Sequence, residues 1–162
     1  MALIKKTTSK KKKAPRKSSK AKGRSSTGAS SKGKARAMSP ARRKGADVSA
    51  SLAMRIAEIA SDKKAEDIVV LDLRPLAGFT DFFVIMSGSS DRQVEAVAGA
   101  IREEIKKGGR LPISEEGMRS GRWALIDYGD VVTHIFYRTE REHYQLEKLW
   151  YDAPRVKIKD LV

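Results

Sequence analysis

The chain contains no cysteine. A disulfide framework, a thiolate zinc site and a cysteine nucleophile are therefore excluded, and a reducing compartment is permitted. No apolar run approaches the roughly 20 residues that span a bilayer. The opening Met1-Ala2-Leu3-Ile4-Lys5-Lys6 has no apolar stretch of secretory length. These absences predict a soluble protein with no membrane partner.

The first 46 residues lack two further things, acids and aromatic rings. Of the 34 basic and 20 acidic residues, residues 1–46 hold 12 Lys, 5 Arg and no acid, a charge of +17. The other 116 residues hold 17 bases against 20 acids, so the net charge of +14 belongs to the arm. Its only large apolar residues are Met1, Leu3, Ile4 and Met38. Such a composition cannot offset the entropy of ordering, so residues 1–46 read as a disordered, Lys-rich arm. Residues 47–162 are enough for one domain with a real core, and too few for two.

Arms of this kind bind polyanions by counterion release, which requires many charges and no particular fold. Weak RNA affinity is the reading taken, carried by Lys10, Lys11, Lys12, Lys13, Arg16, Lys17, Arg42 and Arg43, and such Lys-rich segments are common on proteins that work near ribosomal RNA. A Ser-rich, acid-free start also resembles a transit peptide of a mitochondrion or chloroplast. The excess of Lys over Arg and the lack of a helical charge face weigh against that, and a nonspecific solubilising tail is the third reading.

In the body, Leu52, Ile56 and Ile59 predict a helix over 48–60. Ile68 to Leu73 reads as a strand ending before Pro75. Asp81 to Met86 is a second strand with almost no polar alternation, hence buried on both faces. Ser90-x-x-Gln93 fits a capping box opening a helix whose stripe is Val94, Val97, Ala98, Ile101 and Ile105, closed by Gly108-Gly109. Leu111 to Glu116 is a short strand. Trp123 to Tyr128 and Val131 to Tyr137 flank Gly129-Asp130, a hairpin signal.

Pairing Tyr128 with Val131 sets the register of that hairpin. One face then carries Ala124, Ile126, Val131, Thr133 and Ile135, and the other Trp123, Leu125, Asp127, Val132, His134 and Phe136. A last helix is expected over 140–151, with Leu146, Leu149 and Trp150 toward the core. Arg141, Tyr144, Lys148 and Tyr151 would form an exposed row on its far side, in residue types that favour binding hot spots. The order predicts an α/β (α+β) fold, a mixed sheet of about five strands with helices packed over it.

Signs of catalysis are few. Ser87-Gly88-Ser89-Ser90 at a strand-to-helix turn could cradle a phosphate, but it has neither a P-loop nor a G-x-G-x-x-G spacing and reads as an ordinary capped turn. His134 and His143 lie on different elements, outside any H-E-x-x-H. A buried structural pair of His134 with Asp127 is the preferred reading. Asp72 and Asp81 stand alone, with no D-x-D to hold two metal ions. The sequence predicts a non-enzyme with no cofactor and no metal site.

Four segments in order carry a resemblance: Phe79-Thr80-Asp81-Phe82-Phe83-Val84-Ile85; Ser87-Gly88-Ser89-Ser90-Asp91-Arg92-Gln93-Val94; residues 121–136 from Gly121-Arg122-Trp123 to Ile135-Phe136; and residues 141–150 from Arg141-Glu142-His143-Tyr144 to Leu149-Trp150. Over about residues 49–153 the chain resembles the ribosomal silencing factor family, also called Iojap-like proteins. The resemblance implies a sandwich similar to nucleotidyltransferases without their catalytic motif. It implies binding to the large ribosomal subunit through protein L-fourteen, steric blocking of subunit joining, translation repression or help in large-subunit assembly, and homodimers when free. In a bacterium the site of action would be the cytoplasm.

Carried onto this chain, the family's tryptophan and hairpin aspartate fall on Trp123 and Asp127, and its last-helix arginine and tyrosine on Arg141 and Tyr144. With Leu125, Lys148 and Tyr151 these make the expected partner-binding set. The family often has Tyr where Phe82 stands. The alternative function is a nucleotidyltransferase-like enzyme or nucleotide-binding protein using the turn at Ser87.

Overall fold

The computed structural model describes residues 40–158. Helix α1 (Pro40–Asp62) leads to strands β1 (Glu66–Asp72) and β2 (Phe82–Gly88), then helix α2 (Asp91–Lys107). Strand β3 (Ser114–Glu116) precedes the hairpin of β4 (Trp123–Asp127) and β5 (Val131–Tyr137). Helices α3 (Arg138–Tyr144) and α4 (Leu146–Leu149) follow, and then β6 (Arg155–Val156). The six strands form one mixed sheet in the order β3-β4-β5-β2-β1-β6. Its β2–β5 pair is parallel and the other pairs are antiparallel.

Helix α1 starts eight residues before the expected Val48. Apolar periodicity marks only the part of a helix that packs, and Pro40 to Lys44 have no such period. They do have a proline at the first helical position and Ala, Arg and Lys after it, all compatible with a helix. The expected boundary after Ala46 thus falls inside α1, and Arg42 and Arg43 lie on it. Lys10, Lys11, Lys12, Lys13, Arg16 and Lys17 lie outside the described residues.

Helix α2 buries the expected stripe of Val94, Val97, Ala98, Ile101 and Ile105. With Ala53, Ile56, Ala57 and Ala60 of α1 these side chains cover one sheet face, meeting Val84, Met86, Ala124, Ile126 and Ile135. Each large side chain so buried contributes about 1.5–3 kcal/mol. Strand β2 is buried along its whole length, as its lack of alternation required.

The hairpin has the expected register, Trp123 opposite Phe136, Leu125 opposite His134 and Asp127 opposite Val132. Gly129 turns with φ +90°, and an added Cβ would come within 2.8 Å of the Ile113 side chain.

The last helix differs from expectation. It breaks at Gln145, which sits at φ 45° and ψ 48° between α3 and α4. A single set of helical faces from 140 to 151 therefore does not exist. Leu146 and Trp150 pack inward, but Leu149, expected in the core, is 74 % exposed. Strand β6 is not expected from the sequence, because two residues carry no period to read.

Candidate functional site

The two faces of the sheet are covered unequally. Helices of 23 and 17 residues lie over the first. The second carries Leu71, Leu73, Phe83, Ile85, Val132 and Phe136, with Leu146 and Trp150 packed against it. Its helices, α3 and α4, have seven and four residues and bury no side chain completely. Trp123 and Leu125 are consequently only half-buried on this face.

A run of rings crosses the face. Phe79 lies 6.0 Å from Trp150, which meets Phe83 edge-on at 5.8 Å. Phe83 meets His134 at 4.8 Å, and His134 is 5.9 Å from Trp123. Trp123 then stacks on Phe136 and packs against Tyr144, each at 4.8 Å. Offset and edge-on rings at these separations attract beyond their area burial. Phe79 and Tyr144, at the two ends of the run, are 63 % and 53 % exposed.

At the middle of the run, the Trp123 Nε1–H donates to His134 Nδ1 at 3.3 Å. That bond leaves the proton of the neutral ring on Nε2, which is buried and has no hydrogen-bond partner among the described residues. Burial pushes the His134 pKa down to about 4, against a weaker upward pull from Glu147. The expected His134–Asp127 pair is not formed. Asp127 instead accepts from the Gly129 N–H at 2.6 Å, because the turn leaves that donor free beside it.

The expected partner-binding residues divide into groups. Trp123 and Tyr144 touch, and Leu125 lies on the same face. Asp127 stands at the far end of β4, in the hairpin turn. Lys148 and Tyr151 are exposed on α4 and just beyond it. Arg141 is a correction to the exposed row: its side chain is 12 % exposed and turned inward. Its guanidinium donates twice to Glu147, at 2.8 and 2.6 Å, and once to the Ser87 hydroxyl at 2.9 Å. The break at Gln145 causes this inward turn by bringing Glu147 back toward Arg141.

Beside Arg141 a cleft of about 560 Å³ is lined by Arg138, Lys148 and Arg155 among others. Asp67, Glu142 and Glu147 line it too, so its charges largely offset one another. The turn after β2 closes on itself through Ser89, Ser90 and Gln93. Ser90 caps α2 by accepting from the Gln93 N–H, and the Ser89 N–H and hydroxyl both donate to Gln93 Oε1. A phosphate there would have to displace these bonds, which fits an ordinary capped turn. Asp81 accepts from the Ser49 hydroxyl at 2.8 Å, and Asp72 pairs with Arg74. Among the described residues no three of His, Cys, Asp and Glu gather as a metal site would require. No helix among them is long and apolar enough to cross a membrane.

Phe79, Phe83 and Trp150 belong to this surface although sequence reasoning named none of them for it. Phe79 did leave a signal, a bulky aromatic in a segment with Gly78 and Thr80 that otherwise reads as a turn.

Residues 46–162 match the model of a family described as ribosomal silencing factor during starvation. Ribosomal silencing factor RsfS of Bacillus subtilis is 46 % identical over 93 residues, 57 % of this chain and 79 % of that protein. RsfS of Halalkalibacterium halodurans is 43 % identical over 101 residues, 62 % of this chain and 86 % of that one. A crystal structure from Bacillus halodurans superposes with a TM-score of 0.56 at 40 % identity, covering 66 % of this chain and 94 % of that chain.

Proposed function

The chain belongs to the ribosomal silencing factor family, and from that premise we propose that it docks on the large ribosomal subunit through protein L-fourteen. Once docked it keeps the small subunit from joining, which represses translation and assists large-subunit assembly. The mechanism is excluded volume, so it needs no bond making or breaking and no cofactor. It operates where the ribosomes are, in the cytoplasm of a bacterium.

One observation carries this reading. The second sheet face keeps Trp123 half-open and Tyr144 exposed, yet holds Trp123 against buried Phe136 and His134, and Tyr144 against Trp123 and Phe136. A rigid aromatic pair on a dry foundation loses little conformational freedom on binding, which is what a hot spot requires. Leu125 continues the apolar surface. Asp127, Lys148 and Tyr151 supply its polar and aromatic margin.

The arm has a separate part. Its +17 charge suits ribosomal RNA, and neutralising phosphates would strengthen docking at low salt without adding sequence preference. Pairing of free copies through the half-open face would compete with docking.

The test is a joining reaction. Purified large subunits are mixed with the full chain and then with small subunits, and light scattering follows the association. An excess of the chain slows joining in proportion to its occupancy of the large subunit. Joining at the normal rate with the chain bound would reject the mechanism.

A further inference from the structure

We infer that Arg141 is a positioning residue, which holds Tyr144 in place for docking from inside the fold and does not itself touch the partner. The inference rests on the docking reading above, and it reverses the role that the helical row suggested.

Geometry carries it. On an unbroken α-helix, residues six apart are separated by roughly 9 Å of rise and about 120° of rotation. Arg141 and Glu147 could not share two short hydrogen bonds in that arrangement. They share them because Gln145 takes a left-handed conformation between them. A non-glycine residue in that conformation persists only where its surroundings hold it there. The backbone contributes the Gln145 N–H to the Arg141 carbonyl, and the Lys148 N–H to the Gln145 carbonyl, both at 2.9 Å. The side chains contribute the Arg141–Glu147 pair.

The third contact fixes the corner to the sheet. Ser87 is 1 % exposed on β2, two residues beyond Ile85 and therefore on the same sheet face. Its hydroxyl accepts from Arg141. One guanidinium thus joins β2, α3 and α4, with its Nε–H and both terminal nitrogens engaged. Three of its five N–H donors are thus used inside the fold.

Tyr144 is the last residue of α3 and immediately precedes the break. None of the described α3 residues is fully buried, and the Tyr144 ring lies against Trp123, Phe136 and His143. The start of α3 follows β5 directly and is tied by Arg138 to Glu66 and by Glu140 to Arg122, so at its far end the corner helps to set where this ring lies on Trp123. Releasing Arg141 frees the corner and lets Tyr144 leave the indole.

The test uses the full chain and two readouts. Affinity for purified large subunits reports docking. The Trp123 indole N–H resonance, assigned with Trp123→Phe, reports the seat of Tyr144, because a neighbouring ring shifts it. Arg141→Met is expected to move that resonance and weaken binding about tenfold, a loss of roughly 1.4 kcal/mol. The exchange Arg141→Glu with Glu147→Arg is expected to return both toward wild type by restoring the bridge. Ser87→Ala, which removes a single hydrogen bond, should produce a smaller change in both and serves if Arg141→Met does not fold.

Lost binding with an unmoved resonance would make Arg141 a direct contact and overturn the inference. A folded Arg141→Met variant with both readouts unchanged would overturn it as well. Tyr144→Ala separates the two levels: normal binding by that variant defeats the docking reading, while the Trp123 resonance of Arg141→Met still decides whether Arg141 positions the ring.

Discussion

Trp123 gives the hydrogen of its indole nitrogen to Nδ1 of His134, on the neighbouring strand, at 3.3 Å. The imidazole can accept this bond only while neutral, and its burial keeps it so, with a pKa of about 4 against an ordinary 6.5. Between these values the unfolded chain binds a proton that the folded chain does not. Stability is therefore fully present above pH 6.5 and falls as the pH drops toward 4. The contribution is about 3 kcal/mol. Urea unfolding from pH 7.5 to 4 should show the wild type losing roughly that much stability relative to His134→Leu. A constant difference would contradict the neutral, buried histidine.

Tyr144→Ala removes the exposed ring from its seat on Trp123. Binding to large subunits should weaken by about 2 kcal/mol, some thirtyfold, with thermal stability nearly unchanged because α3 buries no residue completely. Tyr144→Phe keeps the ring and should retain most of the affinity. Co-sedimentation at graded subunit concentrations measures both.

Removal of residues 1–39 spares α1, which begins at Pro40. The shortened chain should bind large subunits less tightly at low salt and with a flatter dependence on salt concentration. Identical slopes with and without the arm would remove RNA contact from its role.

Gly117 has φ +64°, and a Cβ there would come within 1.9 Å of the Trp123 carbonyl oxygen. Gly117→Ala should destabilise the fold by roughly 2 kcal/mol or more and disturb the start of β4. Chemical denaturation checks the first effect and the Trp123 indole resonance the second.

Elements with a sustained period were the legible ones. The α2 stripe has five buried positions and a capping residue, and the β4–β5 register follows from one turn. Two sheet faces could be separated by alternation alone, and they are the faces observed. The last helix was misread because Arg141, Tyr144, Lys148 and Tyr151 fit a helical spacing that the chain does not keep. Nothing local marks Gln145 as left-handed, since the contacts holding it come from Glu147 and from Ser87, 54 residues before Arg141. The ring run was legible only in part, because Phe79 and Trp150 meet through the tertiary fold.

The parallel alignment of β2 with β5 also determines when the centre of the sheet can close. All seven residues of β2 end up buried, and β5 pairs with them one by one from Val131 to Tyr137. A ribosome making this chain completes β2 well before it reaches β5. At about 5–20 residues per second, the nascent chain spends roughly 2–10 s with that apolar strand unpaired on one edge. A member of the ribosomal silencing factor family is thus, during its own synthesis, most vulnerable to aggregation just as its central strand leaves a ribosome.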